Sequence, residues 1–119
     1  MPQANVVMNV RIINAATSII DIKGEVTAFA ENVLMSAYTE SSTPTTHNII
    51  LNFSELEYMN SSGIGLLVTL LVRVNRQKQH MLIYGLSEHY LHIFTLTRLS
   101  DAINICTSEA DALAKTQQR

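Results

Sequence analysis

Two adjacent hydroxyl side chains, Ser61 and Ser62, carry most of the chemistry that this sequence offers. They follow Asn60 and precede Gly63 and Gly65, in a segment whose composition is typical of the start of a helix. The first N–H groups of a helix have no partner within the helix, and the helix dipole adds partial positive charge there. A phosphate on either serine would therefore lie in a favourable field, and the glycines leave backbone that another protein can approach closely. The pattern predicts a phosphorylatable serine that acts through protein contacts.

A simpler interpretation of the same residues is that they only cap a helix. Asn and Ser are among the most common N-cap residues, so Asn60 and Ser61 need no further role to explain their presence. Taken without any other information, the short motif favours this capping interpretation.

The remaining candidate groups do not assemble into a catalytic or metal site. His89 and His92 are three residues apart, but no carboxylate or thiol completes a ligand set at an evident spacing. Glu55 and Glu57 could form a carboxylate pair, but we expect a solvated loop there. Cys106 is expected to be a buried small side chain. We predict no enzyme activity, no metal and no cofactor.

Composition restricts the class of protein further. The chain has 119 residues, of which 47% are hydrophobic, and a formal net charge of −2, so it can build one compact domain. One cysteine excludes an internal disulfide, and no Lys or Arg cluster is dense enough for direct nucleic-acid binding. Met1 to Asn5 is too short and polar for a signal peptide, and Ile64 to Val74 is too short for a membrane span. We therefore expect a cytoplasmic protein, a monomer or a weak dimer.

Strand and helix patterns alternate along the chain. Apolar side chains at every second position predict strands, and apolar side chains at helical spacing predict helices. The predicted strands are Val6–Ile13, with Val6, Met8, Val10 and Ile12 on one side, then Ser18–Lys23, Asn48–Phe53, His80–Tyr84 and Ala102–Cys106. The predicted helices run from about Thr27 to Tyr38, from Asn60 to about Lys78, after the N-cap Ser87, and from Ser108 through Ala114. This order predicts an α/β domain in which a mixed sheet of four to five strands is covered by about four helices.

The predicted second helix presents a polar outer stripe and an apolar inner face. The outer stripe comprises Ser62, Gly65, Thr69, Arg73 and Arg76, and the inner face comprises Ile64, Leu67, Val68, Leu71 and Val74. Leu66 and Leu70 flank the stripe, and we expect them to stay partly exposed. An exposed apolar edge beside a phosphorylatable serine suits a docking surface.

The chain resembles the STAS-domain anti-sigma factor antagonists, also called anti-anti-sigma factors. The resemblance runs nearly end to end, as one domain over residues 1–119 with an ordered core of about 5–115. Its specific segments are Lys23-Gly24-Glu25-Val26, Ile49 to Ser54, Tyr58 to Leu67, Leu82 to Ser87 and Leu99 to Ile105.

The resemblance implies a partner-switching cycle rather than catalysis. In this family an anti-sigma factor serine kinase binds the antagonist and inactivates it by phosphorylation, and a metal-dependent serine phosphatase removes the phosphate. The acceptor is the first hydroxyl residue of an Asp-Ser-Ser-Gly or Asp-Ser-Thr-Gly pattern, which falls on Ser61, with Ser62 as the second choice. The partner-binding residues implied here are Gly24, Glu25, Thr27, Asn60, Ser62, Gly63, Leu66, Leu70 and Arg73.

Two positions depart from the family pattern. Asn60 stands where the family usually has Asp, and Thr27 stands where it often has an acid, so negative charge is removed near Ser61. Asn caps a helix as well as Asp does, so the fold is not affected. The alternative function is an atypical STAS scaffold, or a sensor of an anion or small ligand that uses the helix N-terminus after Asn60.

Overall fold

The computed structural model describes residues 5–117, so all but Asn5 of the polar segment Met1 to Asn5 lies outside them. Within residues 5–117 the strands are β1 (Val6–Asn14), β2 (Thr17–Val26), β3 (Asn48–Met59), β4 (His80–Tyr84) and β5 (Asn104–Cys106). The α-helices are α1 (Glu31–Ser41), α2 (Ser61–Arg76), α3 (Glu88–Leu96) and α4 (Glu109–Thr116). Short 3-10 helices span Ala28–Ala30 and Leu99–Asp101.

The strands form one mixed five-stranded sheet in the order β1-β2-β3-β4-β5. β1 pairs antiparallel with β2, while β2, β3, β4 and β5 pair in parallel. The predicted α/β class, the first hairpin and the partly parallel sheet are therefore confirmed.

The helices divide unequally between the two faces of the sheet. Because the strand order advances in one direction, right-handed crossovers place the three connecting helices on the same face. There, Leu34 of α1, Leu67 of α2 and Phe94 of α3 are fully buried in the main core. The opposite face has a smaller core in which Ala112 of α4 packs with Ile50 and other strand residues.

β2 and β3 both run further than the sequence predicts. β2 continues through Gly24, whose φ of 108° needs glycine, to Val26. β3 does not end at Phe53, because its parallel register with β2 continues to the pair Val26 and Met59. Glu55 and Glu57 are exposed on this strand, so their assignment to a loop is wrong.

The first helix begins later than predicted. Thr27 is extended, and its Oγ1 accepts a hydrogen bond from Phe29 N at 3.3 Å, so it caps the 3-10 turn. The regular helix α1 follows only from Glu31. The predicted start of the last helix at Ser108 is confirmed, since Ser108 is the N-cap of α4 and its Oγ accepts from Asp111 N at 3.0 Å.

Two predictions about burial have different outcomes. Ile12 is 60% exposed, whereas Val6, Met8 and Val10 of the same predicted side pack against the main core. Cys106 is buried, as predicted. No helix within residues 5–117 has the length and apolar character needed to cross a lipid bilayer.

Candidate functional site

Asn60 forms the junction between β3 and α2. Its backbone is extended, with φ −96° and ψ −177°, and its Oδ1 accepts a hydrogen bond from Gly63 N at 2.9 Å. This is the N-cap geometry expected of Asn, and it satisfies one of the unpaired donors of the first turn. The predicted cap is confirmed, and α2 begins at Ser61.

Ser61 and Ser62 occupy the first two positions of α2, and both are exposed. The first turn of α2 contains no acidic residue, so no carboxylate within the turn opposes the partial positive charge of the N–H groups and the dipole. Either hydroxyl is accessible to a second protein, and a phosphate on it would meet a favourable electrostatic environment.

Gly63 has a structural role that the sequence does not reveal. It is buried, and a Cβ at this position would overlap the carbonyl oxygen of Val26. The expectation that Gly63 leaves open backbone for a partner is therefore wrong, since the end of β2 fills that space. Gly65 has no neighbour within 4 Å of such a Cβ and is the open glycine of the pair.

The segment from Gly24 to Thr27 lies beside the start of α2. Asn60 N donates to Val26 O at 3.4 Å, and Val26 also pairs with Met59 in the sheet. The structure thus brings the predicted turn and the predicted serine segment together. Gly24 itself is buried against Asn5, whereas Glu25 and Thr27 are partly exposed.

Leu66 and Leu70 belong to the core, and the expectation that they stay partly exposed is wrong. Leu66 is 9% exposed and Leu70 is 0% exposed. They share a flank of α2 with Arg73, whose guanidinium lies 5.1 Å from the ring centroid of Tyr38 on α1. Arg73 also reaches Met35 Sδ of α1 at 3.2 Å, so α1 adjoins this flank, and both leucines lie in the main core.

The exposed apolar edge of α2 lies on the other flank. Val68, which was expected on the inner face, is 39% exposed, and Val72 is 45% exposed. With Gly65 they form what we call the α2 stripe (Gly65, Val68 and Val72), which continues from Ser61 at helical spacing. The same spacing is visible in the sequence, but the sequence does not show which flank of α2 is buried.

Tyr90 of α3 also contacts the junction, although the sequence analysis did not select it. Met59 N donates to the Tyr90 hydroxyl at 2.8 Å, and this contact is buried. A tyrosine in an otherwise apolar helix face is the only sequence signal for it.

The opposite face of the sheet carries a polar cluster around Arg11. Arg11 Nε lies 2.6 Å from Asp21 Oδ2, and its Nη2 lies 2.7 Å from Glu109 Oε1. Tyr84 donates to the same Glu109 oxygen at 2.7 Å, and Asn52 donates to Asp21 at 2.7 Å. The cluster joins β1, β2, β3, β4 and α4, and it lies away from Ser61.

The charges in this cluster shift the pKa of its members. Burial raises the pKa of the Asp21 carboxyl, but hydrogen bonds from Arg11 and Asn52 lower it, and the net pKa is below the usual 3.8. Hydrogen bonds from Arg11 and Tyr84 lower the pKa of Glu109. Burial, together with the hydrogen bond to Glu109, raises the pKa of Tyr84 to about 12. Because the pKa values of Asp21 and Glu109 are lowered, their ionised forms stabilise the folded protein.

The chain is similar to a known protein family and to named bacterial regulators. The family described as "STAS domain" matches residues 7–112. An anti-sigma-B factor antagonist of Staphylococcus epidermidis is 33% identical over 60 residues, which cover 50% of this chain and 56% of that protein. The aligned segment thus spans little more than half of that relative. The corresponding protein of Staphylococcus aureus strain NCTC 8325 is 27% identical over 86 residues, covering 72% of this chain and 80% of that protein.

The fold is also found in solved structures of SpoIIAA. The anti-sigma factor antagonist SpoIIAA in its unphosphorylated form superposes with a TM-score of 0.71 at 17% identity, over 95% of this chain and 100% of that one. The phosphorylated form of the Bacillus cell fate determinant SpoIIAA gives a TM-score of 0.65 at 20% identity, with the same coverage of 95% and 100%. At these identities the likeness concerns the fold, and it agrees with the family match. The chain therefore belongs to the STAS domain family.

Proposed function

We propose that this protein is an anti-sigma factor antagonist, a cytoplasmic and non-catalytic regulator that acts by switching partners. In this proposal it binds an anti-sigma serine kinase when Ser61 is free and releases the kinase when Ser61 is phosphorylated. A metal-dependent serine phosphatase restores the free form. The names of the staphylococcal relatives support the regulatory class.

The observation that carries the proposal is the position of Ser61. It is an exposed hydroxyl at the first residue of α2, directly after the Asn60 cap, on a chain of the STAS family. Ser62 is also exposed and remains the second choice. A kinase can reach either side chain without unfolding the domain.

The proposed contact surface surrounds Ser61. It combines Glu25 and Thr27 of the turn, the exposed Ser62, and the α2 stripe, whose apolar side chains replace the buried Leu66 and Leu70 in this role. Phe29 and Tyr58 are also exposed, at 58% and 49%. Aromatic and apolar side chains exposed around a small polar centre are typical of protein contact surfaces.

The test is phosphorylation by the anti-sigma factor kinase encoded in the same genome. The purified protein, the kinase and ATP are incubated, and the added phosphate is located by mass spectrometry. Ser61→Ala should take up no phosphate and retain its fold, whereas Ser62→Ala, the matched control, should be phosphorylated as the wild type is. Phosphorylation of Ser61→Ala but not of Ser62→Ala would show that the acceptor is Ser62. Binding without any phosphate transfer would favour a scaffold.

A further inference from the structure

β3 pairs with β2 along one edge and with β4 along the other, and it extends well beyond the end of β4. The pairing of β4 with β3 ends at Asn52 in the described residues, whereas β3 continues to Met59. Most residues of this overhang are exposed, so their free backbone groups can bond water, but Met59 is buried and its amide needs a partner within the protein.

Tyr90 supplies such a partner at the last residue of the overhang. The Met59 amide donates to the Tyr90 hydroxyl at 2.8 Å, and the Tyr90 side chain is only 9% exposed. The next amide, that of Asn60, turns the other way and donates to Val26 O. The chain that leads into α2 is therefore held from two sides, by β2 on one and by α3 on the other.

We propose that Tyr90 is a positioning residue for phosphorylation, since its hydroxyl fixes the backbone that presents Ser61. This inference rests on the proposed function. Met59 lies two residues before Ser61, and Asn60 between them is the cap of α2. A shift of the Met59 backbone is therefore transmitted directly to the acceptor hydroxyl.

The effect should appear in the rate of transfer more than in binding. A transferred phosphate requires close alignment of the acceptor oxygen, and a misplacement of about 1 Å can reduce a rate by about a hundredfold. The proposed contact surface, by contrast, lies mainly on the turn and the α2 stripe, and Tyr90 is not part of it, although Tyr58 of that surface adjoins Met59 in the chain. Loss of the hydroxyl should lower kcat for Ser61 phosphorylation by about tenfold, with KM changed by less than about threefold.

The experiment compares Tyr90→Phe with Phe94→Leu. The first substitution removes one hydroxyl, and the second disturbs a fully buried side chain of the same helix without touching the contact to Met59. Steady-state phosphorylation by the anti-sigma kinase gives kcat and KM, and amide NMR follows the signals of Met59, Asn60 and Ser61. We expect Tyr90→Phe to lower kcat and to shift these amides, while Phe94→Leu lowers the melting temperature but leaves kcat near the wild-type value.

Three results would overturn the inference, and they separate it from the proposed function. A wild-type kcat in Tyr90→Phe contradicts the role of Tyr90 alone. An equal loss of kcat in Phe94→Leu shows that general loosening of α3, and not the hydroxyl, is responsible. A wild-type protein that takes up no phosphate contradicts the proposed function, and the positioning role with it.

Discussion

Gly63 and Gly65 lie two residues apart in α2, but only Gly63 needs to be glycine for the helix to pack. A Cβ at Gly63 would overlap Val26 O, whereas a Cβ at Gly65 meets no atom within 4 Å. Gly63→Ala should therefore destabilise the protein by about 1–3 kcal/mol, as overpacked sites do. Gly65→Ala should be neutral or stabilise it by up to about 1 kcal/mol, because alanine favours a helix. Urea unfolding measures both, and similar effects at the two glycines would contradict the packing of Gly63 on β2.

A phosphate on Ser61 should change the surface of the domain and not its fold. It adds a charge of about −1.5 to −2 at a helix N-terminus, where free N–H groups and the dipole favour an anion. The first turn contains no acidic side chain to repel it. We expect amide NMR shifts confined to the start of α2 and nearby residues, an unchanged melting temperature, and weaker partner binding. Ser61→Glu should imitate this only in part.

Shift changes spread through the sheet, or a large fall in melting temperature, would instead indicate an allosteric switch. The unphosphorylated protein under the same conditions is the control. A loss of about 3 kcal/mol in binding free energy corresponds to more than a hundredfold in affinity, which is enough to release a partner.

The cap at Asn60 could be predicted from the sequence, and the packing of Gly63 could not. A cap is a local feature, because the Asn side chain reaches an amide only three residues away. The need for glycine at Gly63 comes from Val26, which is far away in the sequence and close in space. Nothing in the local pattern distinguishes this glycine from Gly65.

At the scale of the elements, α2 has one buried and one exposed apolar flank. Substitutions on the two flanks should have different effects, one on stability and the other on partner binding. Leu70→Ala should lower stability by about 2–5 kcal/mol, since the side chain is fully buried in the main core. Val72→Asp should leave stability within about 0.5 kcal/mol and weaken partner binding by about 1–2 kcal/mol. Thermal melts and calorimetric titration with the anti-sigma kinase measure the two effects. Normal binding by Val72→Asp would exclude the α2 stripe from the contact surface.

The orientation of α2 was the main error of the sequence analysis. The helix carries apolar residues on most of its circumference, so helical spacing alone admits more than one inner face. The tertiary packing decides it, because Leu66 and Leu70 are buried in the main core and Arg73 on the same flank contacts Tyr38 and Met35 of α1. The extent of β3 was missed for a similar reason, because the exposed Glu55 and Glu57 conceal a strand that is fixed by its pairing with β2.

At the scale of the whole molecule, the Arg11 cluster should determine part of the response to pH. The pKa values of Asp21 and Glu109 are lowered from 3.8 and 4.5, so their contribution is present above those values and is lost as the pH falls below them. The pKa of Tyr84 is raised from 10.0 to about 12, so its contribution is full below pH 10 and is lost as the pH rises toward 12. Stability should therefore decline at both ends of the range.

Urea unfolding between pH 3 and pH 11 tests this expectation, with Arg11→Met as the comparison. The variant lacks the cation that Asp21 and Glu109 share, so its stability should depend less on pH between about 3 and 5. Parallel pH profiles for the wild type and Arg11→Met would contradict a role of the cluster in acid stability.

The overall architecture was the most predictable level. Alternating strand and helix patterns gave the class, the hairpin and the parallel part of the sheet, because each element shows its own periodicity. The cluster that ties α4 to β1 was not predicted, since Arg11 and Glu109 are brought together only by the complete fold.

The order of the strands in the sheet is also their order in the chain. During synthesis on the ribosome, each new strand can therefore join the edge left by the preceding one, and no formed pair has to separate to admit a later strand. The nascent chain acquires β3 and α2 before α3, so Ser61 emerges on a helix whose start is not yet held by Tyr90. The proposed phosphorylation site is thus completed only when the following helix has been made, which delays its final geometry until the domain is nearly whole.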